Sequence, residues 1–547
     1  MTRQQRLTLV ATILGSTVVF LDSTVVNVAL PAIQEDLDTG LAGQQWVVEA
    51  YMLTLVSLLL VGGSLGDLYG RRRLFSIGLA GFGVTSILCA IAPTDEALIG
   101  ARGLQGMAGA LLVPGSLAIL AATFEGEARG KAVGLWTAWS GISTLLGPAG
   151  GGLLVEVDWR WIFWVNVPLL ALTLLLTHRV VRESSDPEAC PGVDFVGIGL
   201  SAVGLGGPVF ALIEQPTYGW GDPVVAIPLL VGVASLAAFV WWESRARAPM
   251  LQLSLFRIRN FAMVNLTTLC VYAGLIGSFF FLTLYLQQVS GYSPFEAGLA
   301  TTPTTVLLFL LSGRFGALSA RIGPRALLTV GPFVAAAGVA LLVRLNQDVD
   351  YLVDVLPAML LFGVGLSITV APLTTTVLNS VSENHAGVAS GVNNAVARVA
   401  GLIAIAALGA VISAQFSSSL DDRLAGESLG AGAAAAVDDA KAQPLAGEDV
   451  GSVPTDEREA LGDDIVASSE SAFHLGAGLA AALMVLGGLI ALLGVRNPER
   501  EGEPEREHAP GPAATAGECG RQSYEGAPSP VPGSLEPEPA PAGDPLL

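Results

Sequence analysis

The chain has 547 residues, 52% of them hydrophobic and 14% charged, with a mean hydropathy of +0.61. A soluble protein carries about 25% charged residues, and the roughly 20-residue apolar runs a bilayer demands recur here from Leu7 to Val495. A soluble enzyme, a nucleic-acid binder and a secreted disulfide scaffold are therefore excluded, and the sequence reads as an all-α polytopic membrane protein.

The periodic apolar runs predict fourteen spans, near 7–32, 46–66, 74–92, 97–123, 132–155, 161–178, 195–213, 223–242, 261–289, 297–313, 326–343, 353–379, 387–414 and 472–495. The first is not a signal peptide: Asp22 interrupts it, and Gln34, Glu35 and Asp36 after Pro31 offer no small-residue cleavage site. Trp159, Trp161 and Trp164 beside Arg160 suit an outer interfacial belt. With a cytoplasmic N-terminus, 16 Arg and Lys residues fall in short inner segments, against Arg160 and Arg344 in short outer loops. That bias places both termini in the cytoplasm.

The net charge of −20 is local: residues 416–471 hold 13 acids and 3 bases, 496–547 hold 10 and 4, and the membrane body keeps only −4. Residues 416–471 are expected to form a long flexible outer loop, and the tail 496–547, with 11 of the 31 prolines, a disordered cytoplasmic segment. A faint repeat, at a shift of 253, sets Gly63, Gly70 and Arg72 opposite Gly316, Gly323 and Arg325, with Ala320 standing where the first half has Asp67. Two six-helix halves with a helix pair between them would place these loops alike. The expected division is a bundle over 1–183, a linker pair over 184–258 and a second bundle over 259–495.

Charged residues inside spans are costly and default to function. Here they are Asp22, Glu49, Arg102 and Arg398. Asp22, Glu49 and Arg102 fall at neighbouring depths in the outer half. A buried carboxyl resists ionisation while a nearby arginine favours it, and that balance permits proton exchange. The plainer alternatives are that Asp22 and Arg102 simply pair, and that Glu49 reaches the outer interface. Arg398 needs a partner that the sequence does not name. The run Gly147-Pro148-Ala-Gly150-Gly151-Gly152 is expected to interrupt the fifth span, as a hinge or as close packing.

Other chemistries find little support. Gly126-Glu-Ala-Arg-Gly130-Lys131 misses the phosphate-loop spacing, and the four histidines and four cysteines form no metal or redox pattern. Gly62-Gly-Ser64-Leu-Gly66 and Gly426-Glu-Ser428-Leu-Gly430 spell a nucleophile elbow but lack a preceding strand. No enzyme, metal or bound cofactor is expected.

The stretch Gly63-x-Leu-x-Asp67-x-x-Gly70-Arg71-Arg72-Arg73 resembles the first signature of the major facilitator superfamily. Leu21-Asp22-Ser-Thr-Val-Val-Asn27-Val-Ala-Leu30-Pro31, Arg102-Gly-Leu-Gln105-Gly106, Gly147-Pro148-x-x-Gly151-Gly152 and the segment Trp159 to Pro168 are similar to its fourteen-helix drug:proton antiporter branch, the EmrB/QacA type. The resemblance implies a major facilitator fold of two six-helix bundles plus two central helices, in a bacterial cytoplasmic membrane. It implies proton-driven efflux of hydrophobic compounds, cations among them, by a monomer, with the proton gradient as energy source. Asp22 would bind proton or substrate beside Arg102. Gly63, Asp67, Gly70, Arg71 and Arg72 would form a cytoplasmic latch, and Gly147, Pro148, Gly151 and Gly152 the antiporter hinge. Asn27, Pro31, Gln105 and Gly106 complete the motifs. Two rivals remain: a dedicated exporter of an endogenous antibiotic, siderophore or lipid precursor, and a non-transporting scaffold or sensor.

Overall fold

The computed structural model describes residues 1–185, 194–246, 249–381, 386–425, 430–445 and 455–497. Each predicted span has a helix at its place: α1 (Arg3–Leu37), α2 (Leu41–Tyr69), α3 (Arg71–Ala90), α4 (Asp95–Thr123), α5 (Gly126–Val155), the pair α6 (Trp161–Trp164) and α7 (Asn166–Val180), α8 (Phe195–Tyr218), α9 (Pro223–Glu243), α10 (Arg259–Gln288), α11 (Pro294–Ile322), α12 (Pro324–Leu341), α13 (Leu356–Asn379) and α14 (Ala386–Arg423), then the short α15 (Ala431–Ala442) and finally α16 (Thr455–Gly494). Among the described residues twelve spans are long and apolar enough to cross a membrane, α6 and α7 counting as one. That is two fewer than expected; the others are α2 and α5, which run 29 and 30 residues.

The helices outrun the apolar stretches that announced them, because a hydrogen-bond ladder ends at a cap rather than at a polarity boundary. The Thr2 hydroxyl accepts from the Gln5 backbone and the Gln5 side chain answers the Thr2 N–H, so α1 starts four residues before its apolar run. Ser293 and Glu296 start α11 in the same way.

Helices α1 to α7 pack on one another, as do α10 to α16, while α8 and α9 pair with each other and α8 also touches α2 and α14. The side on which α1 begins is called near, the opposite side far. Contacts joining the two groups gather on the far side. Gln34 at the end of α1 accepts from Gln288 of α10 at 2.6 Å and from Gln44 of α2, and donates to Gln443 at 2.5 Å. The Gln45 amide donates to the Ile405 carbonyl on α14 at 2.7 Å. A Cβ on Gly152, near the end of α5, would lie 2.6 Å from the Pro294 carbonyl oxygen at the start of α11. Toward the near side, a Cβ on Gly134 of α5 or Gly313 of α11 would meet nothing within 4 Å, and a cavity of about 680 Å³ opens beside Met1, Ala128 and Gly134. Among the described residues, the hydrogen bonds that join the two groups lie on the far side.

The structure corrects the flexible loop over 416–471. Helix α14 runs on to Arg423, α16 starts at Thr455 and α15 lies between. Phe416, Leu420, Ala433, Val437, Leu445, Leu461 and Ile465 are buried in one apolar cluster with α10 and α12 residues. Alanine-rich, polar composition hid these sparse apolar contacts. The tail from 498 lies outside the described residues.

The faint repeat is explicit in the backbone. Gly70 and Gly323 both take positive φ, 105° and 88°, as the one-residue joint between consecutive helices, which a side chain would strain. Their N–H groups donate to the Gly66 and Ser319 carbonyls at 3.0 and 2.9 Å, the same pairing 253 residues apart. Glu183 then caps α3, accepting from the Arg72 and Arg73 backbone at 3.0 and 3.2 Å, and Asn497 caps α12, accepting from the Arg325 backbone at 3.1 Å. Glu183→Ala removes one side chain that satisfies two terminal N–H groups. It is expected to cost about 1 kcal/mol, read as a lower unfolding midpoint in detergent, with Glu183→Gln losing less.

Candidate functional site

The centre of α1 to α7 is an ion-pair network. Arg102 of α4 donates from Nη1 to Asp22 Oδ2 of α1 at 2.5 Å, and both side chains are 1% exposed. The same Nη1 donates to Gln105 Oε1 at 2.6 Å, and Nε to the Val47 carbonyl of α2 at 3.0 Å. The second Asp22 oxygen accepts from Gln105 at 3.1 Å and from Asn166 of α7 at 3.2 Å, and both amides also reach the Ser86 hydroxyl of α3. The Tyr51 ring lies 4.2 Å from the guanidinium carbon. A buried ion pair holds only when its remaining hydrogen-bond capacity is met. Here the carboxylate and the guanidinium are met by each other and by groups from α2, α4 and α7, with Ser86 of α3 holding the two amides.

Glu49 is treated in the opposite way. It is 0% exposed, and neither carboxyl oxygen has a hydrogen-bond partner among the described residues. It does not reach the interface; it sits one turn inside Gln45, beneath the contact that Gln45 makes with α14. The structure thus joins Asp22 to Arg102 and leaves Glu49 outside their hydrogen-bonded network. Arg398, on α14, is half-buried, with its guanidinium carbon 6.0 Å from the Phe20 ring of α1.

The glycine run does not interrupt α5, which is helical from Gly126 to Val155 with Pro148 inside it. Its glycines serve two neighbours instead. A Cβ on Gly151 would lie 2.8 Å from Val25 of α1, Gly147 meets Thr24, and Gly152 and Pro148 face Phe295 and Gly298 of α11. Gly106 packs against Tyr51 and Thr54 in the same manner, bringing α4 onto α2. Asn27 Oδ1 is buried without a partner among the described residues, and Pro31 lies within α1. Gly152→Leu would place a branched side chain where the Pro294 backbone lies. It is expected to wedge the far side apart and abolish transport while leaving protein in the membrane, seen as raised labelling of a cysteine at position 288 by an external membrane-impermeant thiol reagent.

In the arginine-rich loop, Asp67 accepts from Arg71 Nε at 2.7 Å, four residues on, and Arg72 reaches His178 at 3.2 Å. Gly63 makes only ordinary contact with Pro114, at 3.5 Å from its notional Cβ. The elbow spelling at 62–66 lies inside α2 and so is no strand–turn–helix; the one at 426–430 lies mostly outside the described residues. Among the described residues no His, Cys, Asp or Glu group could hold a metal. Sequence reasoning gave Asn166 only as part of a motif and missed Ser86, Tyr51 and the Val47 carbonyl. Single hydroxyls and carbonyls on apolar helices carry no pattern of their own.

A family model described as Major Facilitator Superfamily matches residues 12–405. The chain belongs to the Major Facilitator Superfamily. As a member it is a polytopic membrane transporter. Among curated relatives, it is 38% identical to "Multidrug resistance protein Stp" of Mycobacterium tuberculosis over 78% of this chain and 79% of that protein. It is 34% identical to the "Tetracenomycin C resistance and export protein" of Streptomyces glaucescens over 93% and 95%. It is 35% identical to "Multidrug efflux pump LfrA" of Mycolicibacterium smegmatis over 76% and 84%. The facilitator fold is shared with a bacterial homologue of the human lysosomal transporter Spinster in its inward-facing form, with a TM-score of 0.64 at 16% identity over 91% and 100%.

Proposed function

We propose that this facilitator is a proton-driven exporter of hydrophobic small molecules, working by alternating access. The relatives named for drug resistance and export support efflux, and the basic near-side loops support a cytoplasmic near side with both termini inside a bacterial cytoplasmic membrane. The reading includes α2 and α5 as spans, giving the fourteen of the EmrB/QacA type, with 1–183 and 259–495 rocking about the linker pair 184–258. A monomer holds the whole site, no cofactor takes part, and the proton gradient supplies the energy.

The observation that carries proton coupling is the contrast between two carboxyls. Asp22 has a guanidinium and two amides; Glu49 has no hydrogen-bond partner among the described residues. A carboxyl without donor or cation in a low-dielectric interior is stable in its neutral form. Glu49 therefore carries the proton in this reading, and Asp22 with Arg102 fixes α1, α4 and α7 around it. Gln45 seals Glu49 from the far side. Parting α2 from α14 there admits external protons, and closing again traps one. Asp67 and Arg71, paired within their own loop here, belong to the latch that closes the near side in the other state.

A dedicated exporter of one natural product is the second reading, favoured by the near-complete length match to the tetracenomycin C protein. The test is ethidium accumulation in an efflux-deficient bacterial host. Expression is expected to lower accumulation, and a protonophore to restore it. Unchanged accumulation across a dye panel together with export of one metabolite selects the second reading.

A further inference from the structure

We infer that the binding cleft recognises an anionic group through Arg398, so that the preferred cargo is an apolar acid such as an aromatic carboxylate. The inference deepens the export reading and rests on it.

Four charged side chains lie deep within the spans, and three are withdrawn from any ligand. Asp22 and Arg102 neutralise each other at 1% exposure, and Glu49 is 0% exposed. Arg398 differs on each count. It is half-buried and has no hydrogen bond or ion pair among the described residues. Twelve residues separate it from Ala386 at the near end of α14, about 18 Å at 1.5 Å per residue, which is the middle of the bilayer. Its guanidinium faces the opposite bundle, 6.0 Å from the Phe20 ring, and Phe20 in turn meets Trp136 of α5 edge to face at 6.1 Å. Arg398 thus lies between the two bundles, partly exposed and beside that aromatic pair.

A guanidinium held at mid-membrane without a counter-charge is costly, and the cost is recovered when a carboxylate binds its fork through two parallel hydrogen bonds. The aromatic pair beside it suits a flat apolar body. A cation gains no such pairing at Arg398 and is the poorer cargo, ethidium included.

The test uses tetramethylrhodamine and its methyl ester, which differ only in whether the carboxyl is free. Full-length protein in inside-out vesicles is energised by a proton gradient, and uptake of each dye is followed. Energised uptake of either dye establishes export independently of any preference. The inference predicts that the acid is moved at least about tenfold faster than the ester, as loss of one charge-assisted pair implies. Arg398→Gln is expected to bring the ratio near unity, and Arg398→Lys to retain part of it. Binding to purified protein, read by quenching of its tryptophan fluorescence, should show the same preference without energisation, so a variant impaired in cycling is still informative. Equal or faster transport of the ester by the natural chain overturns the inference. So does an acid-to-ester ratio that Arg398→Gln leaves unchanged, and in both cases export itself stands.

Discussion

Arg102→Ala is expected to cost about 3–5 kcal/mol of stability and to abolish export, because it leaves the Asp22 carboxylate buried without its cation. The loss is larger than the contact itself is worth. Two desolvated charges roughly balance against their attraction, so the damage comes from stranding one of them. Asp22→Asn strands the guanidinium instead, although Gln105 and Asn166 still have an acceptor, and should cost less. A double variant, Asp22→Leu with Arg102→Leu, removes both charges and is expected to unfold closer to the natural chain than either single change does. Unfolding midpoints of the three variants in one detergent check this. If the double variant falls by the sum of the singles, the pair is not acting as a unit.

Glu49→Gln is expected to have the opposite profile: little or no loss of stability, with uphill export gone. The amide copies the neutral carboxyl in size but cannot release a proton. Substrate should still equilibrate across the membrane in counterflow, where no net proton movement is needed, while accumulation against a gradient disappears. Asp22→Asn separates the two candidate carriers. If it keeps counterflow and loses uphill export as cleanly as Glu49→Gln does, the proton belongs to Asp22, and the assignment to Glu49 fails.

The order and approximate place of the helices were legible in the sequence, because a roughly 20-residue apolar demand leaves a clear mark, whereas twelve rather than fourteen of the described helices are long and apolar enough to cross a membrane. Each predicted span has a helix, and at the helix starts Thr2 and Ser293 decide the boundary and hydropathy does not. The pairing of Asp22 with Arg102 was legible as one of two alternatives, since charged residues at matching depth have few other places to go. The burial of Glu49 was not: α2 gives no sign of it, and one turn away Gln45 reaches a backbone carbonyl 360 residues off in the sequence. The far-side cap was missed for a related reason. Its buried Phe416, Val437 and Leu461 are spaced among alanines and acids, so the periodicity that reveals a helix face is weak. The repeat was faint in residues yet clear in the backbone, because Gly70 and Gly323 preserve a conformation that the side chains around them need not share.

Protons carried on Glu49 drive export in the proposed cycle. Purified protein in liposomes holding a pH-sensitive dye tests it most directly, by following proton movement when ethidium is added under an imposed pH gradient. Ethidium-dependent proton flux is expected in the natural chain and none in Glu49→Gln, with ethidium counterflow in both. Undiminished ethidium-driven proton flux in Glu49→Gln would contradict it.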